Sequence, residues 1–261
     1  MASKTIVFVH GNFVTAKCWD EWAQRFRARG YDCVQIEYPL RDKPVAELRR
    51  IHPDPALGRL ALPEVLAHHV RIIEGLKEKP IIIGHSFGGM LTQLLVQRDL
   101  HCAAVAIDSV PVPGVVTFKW SFLRSLWPVV NPLIPASRPY LMSFDEFRYT
   151  FANNMTVEDG RAAYDALVVP ESRALGRGAL SSFAKVDFAK RRAPLLMIAG
   201  EEDHIMPASL NRTNYEKYEK SPSITDFKEF PHRSHMILGQ KGWEEVADYA
   251  LHWAELAQTR A

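Results

Sequence analysis

The sequence predicts an α/β fold: a mostly parallel central sheet of about six strands, with helices on both faces and one helical insertion. Three observations carry this prediction. Short continuous runs of apolar, β-branched residues recur along the chain, as expected of strands buried on both faces of a parallel sheet. Amphipathic helical stripes alternate with them at close spacing. The alternation breaks only once, across residues 109–192.

The first strand is "TIVFVH" (5–10). "WDEWAQRFRARG" (19–30) sets Trp19, Trp22, Ala23 and Phe26 at helical spacing, and Gly30 ends the helix. "YDCVQIEY" (31–38) returns to strand character, and a polar, proline-bearing segment (39–62) follows. In "LPEVLAHHVRIIEGLK" (62–77), Val65, Leu66, His69, Ile72, Ile73 and Leu76 form an apolar helical stripe, on which His69 reads as a packed histidine. "PIIIGHS" (80–86) is the third strand, "GGMLTQLLVQRD" (88–99) the helix leaving it, and "AAVAID" (103–108) the fourth strand. "PLLMIAG" (194–200) and "ITDFKEF" (224–230) complete the strand series, and "WEEVADYALHWAEL" (243–256) closes it as an amphipathic helix.

Residues 109–192 are rich in proline at their start and dense in aromatics, and they are too long for a structureless loop. The expected organisation is a core of residues 1–108 and 193–261, with 109–192 as a helical cap. The cap is expected over the carboxyl ends of the strands, where open α/β sheets bind ligands.

Bulk properties narrow the class. The 261 residues, 47% apolar and 24% charged, suit a single globular domain with a substantial core. A net charge of +2 without a basic tract gives no reason to invoke nucleic acid. Cys18, Cys33 and Cys102 are too few and scattered for a disulfide framework or a zinc site, and read as small buried or half-buried thiols. The apolar run at 5–9 is too short for a signal-peptide core, and no stretch has the length of a membrane span. A cytoplasmic setting is therefore the expectation. Membrane contact by "VVTFKWSFLRSLWPVV" (115–130) is not expected, because Lys119 and Arg124 break the run.

The chemistry-bearing stretch is "PIIIGHSFGGM" (80–90). A tight strand-to-helix turn strains its central residue and lifts that side chain above the sheet. The residues two before and two after then crowd together, and here they are Gly84 and Gly88. Such a string arises by chance in about one chain of this length in ten, but its place between a strand and a helix makes it specific. Ser86 would stand at the sheet's mouth, with the Phe87 amide aimed into the same space. A serine nucleophile further needs a base and donors for the oxyanion it creates.

With these pieces the sequence resembles the α/β-hydrolase family over nearly its whole length. The matching segments are "HGN" (10–12), "GHSFGG" (84–89), "GEEDHIMP" (200–207) and "HRSHMIL" (232–238), in the family order of serine, acid, histidine. Many members carry two further N-terminal strands, whereas four residues precede "TIVFVH", so six strands are expected. The resemblance implies Ser86 as nucleophile and His235 as base, ahead of His232. It implies Asp203 as the orienting acid, with Asp108 as competitor. The oxyanion hole would pair the amides of Phe87 and Asn12, with Phe13 as fallback. Phe13, Trp120, Phe144 and Met236 are the expected substrate-lining residues.

The activity so implied is that of a carboxylesterase-like serine hydrolase acting on hydrophobic or aromatic esters through an acyl-enzyme, with no metal or organic cofactor. Related chemistry of the fold (C–C hydrolase, lactonase, perhydrolase, hydroxynitrile lyase) and a non-enzymatic ligand sensor are the alternatives. The expected partner is a small-molecule ester, and a homodimer is left open.

Overall fold

The computed structural model describes residues 2–260, and all six strands lie in one parallel sheet of order β2-β1-β3-β4-β5-β6. The strands are β1 (Thr5–Val9), β2 (Asp32–Ile36), β3 (Ile81–His85), β4 (Ala103–Ile107), β5 (Leu195–Gly200) and β6 (Thr225–Phe230). In register, Val7 lies opposite Val34 on one side and Ile82 on the other. The chain leaves β1 towards β2, then returns to place β3 on β1's opposite side. This reversal opens a crevice at the carboxyl ends of β1 and β3.

The two-residue period of each strand divides its side chains between two cores. Ile6, Phe8, Ile83 and Val105 face the core built with helices α1 (Asp20–Arg27) and α11 (Trp243–Arg260), whose Trp22, Phe26, Val246 and Leu251 pack there. Val7, Val9 and Ile82 face the opposite core, with Leu66 and Ile73 of α4 (Leu62–Glu74) and Leu91, Leu94 and Leu95 of α5 (Phe87–Val96). Each such fully buried aliphatic contributes about 1.5–3 kcal/mol. His69 is buried on α4 with Nδ1 bonded to the Val65 carbonyl at 2.8 Å. β3, β4 and β5 are buried at every residue, whereas the edge strands β2 and β6 are mostly half-buried.

The polar segment 39–62 contains two short helices that its sequence pattern does not announce, α2 (Val45–Arg50) and α3 (Pro55–Arg59). At six and five residues they are too short to show a periodic stripe. Asp54 caps α3 by accepting from the Ala56 N–H at 2.8 Å, with Pro55 at the first helical position.

Between β4 and β5 stand four helices: α6 (Trp120–Val130), α7 (Phe144–Thr150), α8 (Val157–Leu167) and α9 (Arg173–Gly178). The last three start at Ser143, Thr156 and Ser172, whose hydroxyls accept from backbone N–H groups of the first turn. α10 (Ala208–Lys217) follows β5. Among the described residues no helix is long and apolar enough to cross a membrane.

Candidate active site

Ser86 sits where β3 becomes α5, with φ 58° and ψ −120°. Such torsions cost a non-glycine residue about 1–3 kcal/mol and persist only where the surroundings enforce them. Here the Ser86 N–H donates to the Ile107 carbonyl at 2.9 Å, and its carbonyl accepts from the N–H groups of Gly89, Met90 and Val110. The flanking glycines are required by close approach. A Cβ on Gly84 would lie 2.2 Å from the Gly88 carbonyl oxygen, and one on Gly88 would lie 2.1 Å from that of Val9.

Asp203 and His235 come from the loops after β5 and β6. His235 Nδ1 donates to Asp203 Oδ2 at 2.6 Å, and both side chains are fully buried. The other Asp203 oxygen accepts from the N–H groups of Ile205 (2.8 Å) and Met206 (2.7 Å). With Nδ1 as donor, Nε2 is the acceptor of the imidazole. That Nε2 is buried without a hydrogen-bond partner, and the His235 side chain lines a cavity of about 40 Å³ together with Ser86. No hydrogen bond joins Ser86 Oγ to Nε2 among the described residues; such bonds often tighten only when substrate is bound. The ring packs against His85, centroid 4.5 Å away, and Phe151, 4.7 Å away and edge-on. Burial, and after it the nearby His235, pushes His85 well below the usual histidine range, so it stays neutral beside the site.

The competing residues are engaged with other partners. The His232 side chain is 84% exposed and pairs with Glu202 at 3.0 Å, and Glu201 and Glu202 lie at the surface with it. Asp108 accepts from the Gly200 N–H at 2.7 Å; one of its carboxylate oxygens lies within 4.8 Å of a His235 ring nitrogen, with no hydrogen bond between them. His10 shapes its loop through Gly11 (2.8 Å) and Glu37 (2.8 Å).

Phe87 opens α5, so its N–H has no partner within the helix. Asn12 lines the same cavity as Ser86 and Phe87. The fallback donor is closed: the Phe13 N–H is held by Glu171 Oε2 at 3.2 Å. The sequence reading missed this clamp. Glu171 and Arg41 form a buried ion pair, Arg41 donates to the Val14 carbonyl at 3.0 Å, and the Val169 N–H reaches the Phe13 carbonyl at 2.8 Å. Segment 169–171 thus fixes the loop that carries Asn12. No motif could have revealed two residues 130 positions apart.

A cavity of about 80 Å³ on Ser86 is walled by Phe13, Phe122, Leu126, Val129 and Ile205. A larger one, about 290 Å³, lies beyond Phe13, Leu126, Val129 and Ile205 and reaches Tyr140 and Tyr149. Of the expected lining residues, Phe13 lines both cavities, and Met236 lines the one shared by Ser86 and His235. Trp120 and Phe144 line neither, which corrects the expectation for both. Trp120 lies on the outer side of α6, 73% exposed, because the inner side is taken by Phe122, Leu126 and Val129. The Phe144 ring packs against Tyr164 and lies under the Arg161 guanidinium, 3.5 Å from its centroid.

A parallel sheet with a serine elbow at its switch point and a carboxylate–imidazole pair from later loops defines a class of enzymes. The chain belongs to the alpha/beta hydrolase family, whose model matches residues 6–249. Solved structures of similar fold include an extracellular alpha/beta-hydrolase from a Paenibacillus species (22% identity, TM-score 0.69, covering 96% of this chain and 98% of that one). A methylesterase from Arabidopsis is similar at 16% identity and TM-score 0.68, over 97% of this chain and 99% of that one. A pyrethroid hydrolase from Sphingobium faniae is similar at 17% and 0.67, over 97% and 98%. At these identities the likeness shows the fold alone. No curated protein matches the sequence.

Proposed function

We propose that the protein is a serine hydrolase that cleaves carboxylic esters of hydrophobic acids or alcohols, with Ser86, His235 and Asp203 as its triad. The observation that carries this reading is the buried Asp203–His235 pair, whose imidazole has an unpartnered Nε2 and lines the same cavity as the strained Ser86. His235 Nε2 takes the Ser86 proton as Oγ attacks the ester carbonyl, and the alkoxide oxygen that forms is met by the Phe87 and Asn12 amides. The imidazolium then protonates the leaving alcohol. Water, deprotonated by the same nitrogen, releases the acid and restores Ser86. Asp203 keeps the imidazole in the tautomer this requires. The apolar walls around Ser86 favour hydrophobic ester groups, and the presence of esterases among the similar structures supports an ester substrate.

Turnover of p-nitrophenyl acetate and butyrate by wild type and Ser86→Ala tests the reading. We expect the variant to lose at least about 10³-fold in kcat. Equal turnover by both proteins would refute the mechanism. Tight ligand binding with negligible wild-type turnover would favour a sensor.

A further inference from the structure

Asp108 is a buried ionisable group that the triad leaves without a task. It closes β4 in left-handed backbone, φ 42°, and its side chain is fully buried. One oxygen accepts from the Gly200 N–H at 2.7 Å, while Oδ2 is buried and has no donor. The groups facing it come from three other strand ends. They are His85 at the end of β3, Asp203 after β5 and His235 after β6, and a carboxylate oxygen of Asp108 lies within 4.8 Å of a ring nitrogen of each histidine. Asp203 belongs to the same cluster: its N–H donates to the carbonyl of Gly200, the residue whose N–H Asp108 holds, at 3.3 Å, and its Oδ2 accepts from His235 Nδ1 at 2.6 Å. Two carboxylates repel, so a hydrogen bond between them requires a proton on one. Among the described residues, no lysine or arginine pairs with either carboxyl. Asp203 accepts two backbone N–H bonds and an imidazole N–H, whereas Asp108 accepts only one bond, so the environment leaves the proton to Asp108.

We propose that Asp108 is a positioning residue: it stays a neutral carboxylic acid and donates a hydrogen bond to the Asp203 carboxylate, holding that carboxylate on His235 Nδ1. The pair then carries one negative charge. During turnover the Ser86 proton moves to Nε2 and on to the leaving group, while the Asp108 proton stays in place. Burial first, and the Asp203 charge second, hold the Asp108 carboxyl well above the usual carboxylate range. The proposal rests on the triad reading above and adds a second acid to it.

The test compares kcat/KM–pH profiles of wild type, Asp108→Asn, Asp108→Leu and Asp203→Asn. Asparagine keeps a donor of similar shape, so Asp108→Asn should retain kcat/KM within about tenfold, with its acid limb within about 0.3 pH unit of wild type. Leucine has no donor. Asp108→Leu should lose more than about tenfold, with the limb moved to higher pH as the Asp203 charge acts undiluted on the imidazolium. A limb lowered by about one unit in Asp108→Asn would overturn the proposal, because it would mean that a second negative charge had been removed.

Stability gives an independent readout. Above about pH 4 the unfolded chain loses the Asp108 proton while the native chain keeps it, so this linkage lowers wild-type stability as pH rises. Asp108→Asn should therefore gain on wild type in urea unfolding between pH 5 and 8, and a constant difference would overturn the proposal. The underlying reading fails differently. Asp203→Asn should lose about 10³–10⁴-fold in kcat; if it stays active while Asp108→Asn does not, the acid has been misassigned, and an active Ser86→Ala removes the serine mechanism altogether.

Discussion

At the scale of single residues, the molecule separates what a motif announces from what only contact creates. Ser86, Asp203 and His235 were legible because each follows a strand end in a short string whose neighbours are constrained: the crowding glycines, the acid loop after Gly200, the apolar pair after His235. Arg41 and Glu171 carry no such string, and only the folded chain reveals their pairing. Removing one partner of a buried ion pair strands the other charge. Glu171→Ala should therefore lower stability to urea by about 3–5 kcal/mol. It also frees the Phe13 amide and loosens the loop bearing Asn12, so kcat should fall more than KM changes. Unaltered stability would mean that the pair does not hold this loop.

Elements show a different limit of sequence reading. The aromatic density of residues 115–151 announced helices that bury something, but not which side of each helix meets the site. α6 is apolar on both sides, and its composition favours neither, so Trp120 looked as eligible as Phe122. Packing against α9 and the Ser86 cavity settles the choice for Phe122, Leu126 and Val129. Leu126 also belongs to the wall between the smaller and the larger cavity. Leu126→Ala should join them, lowering KM for p-nitrophenyl octanoate relative to butyrate by about tenfold, the worth of a few buried methylenes at most. A proportional loss on both esters would show that Leu126 does not limit chain length. The short helices α2 and α3 were missed for a simpler reason: five or six residues span less than two turns and leave no stripe to read.

Over the whole molecule the sheet was legible because β3, β4 and β5 are buried on both faces and so read as unbroken apolar runs. The edge strands β2 and β6 are half-exposed, and their sequences are correspondingly mixed. The same burial predicts the response to acid. Burial pushes His69 down to about 3 and His101 to about 4, and it holds His85 low as well. These residues bind a proton in the unfolded chain below about pH 6.5 but not in the native one, so stability falls as pH drops through that value. From pH 7.5 to pH 5, His69 and His101 should together remove about 4 kcal/mol, with His85 acting in the same direction and Asp108 opposing. Urea midpoints across that range check this, and a midpoint that rises towards pH 5 would contradict it. The central claim, however, is that three loops converge on one reactive serine, and labelling by a p-nitrophenyl alkylphosphonate tests it most directly. One phosphonyl group per chain should appear by peptide mass spectrometry on Ser86 in wild type, at a rate reduced at least about 10³-fold in His235→Ala. Modification of another residue, or equal rates in the two proteins, would contradict the account.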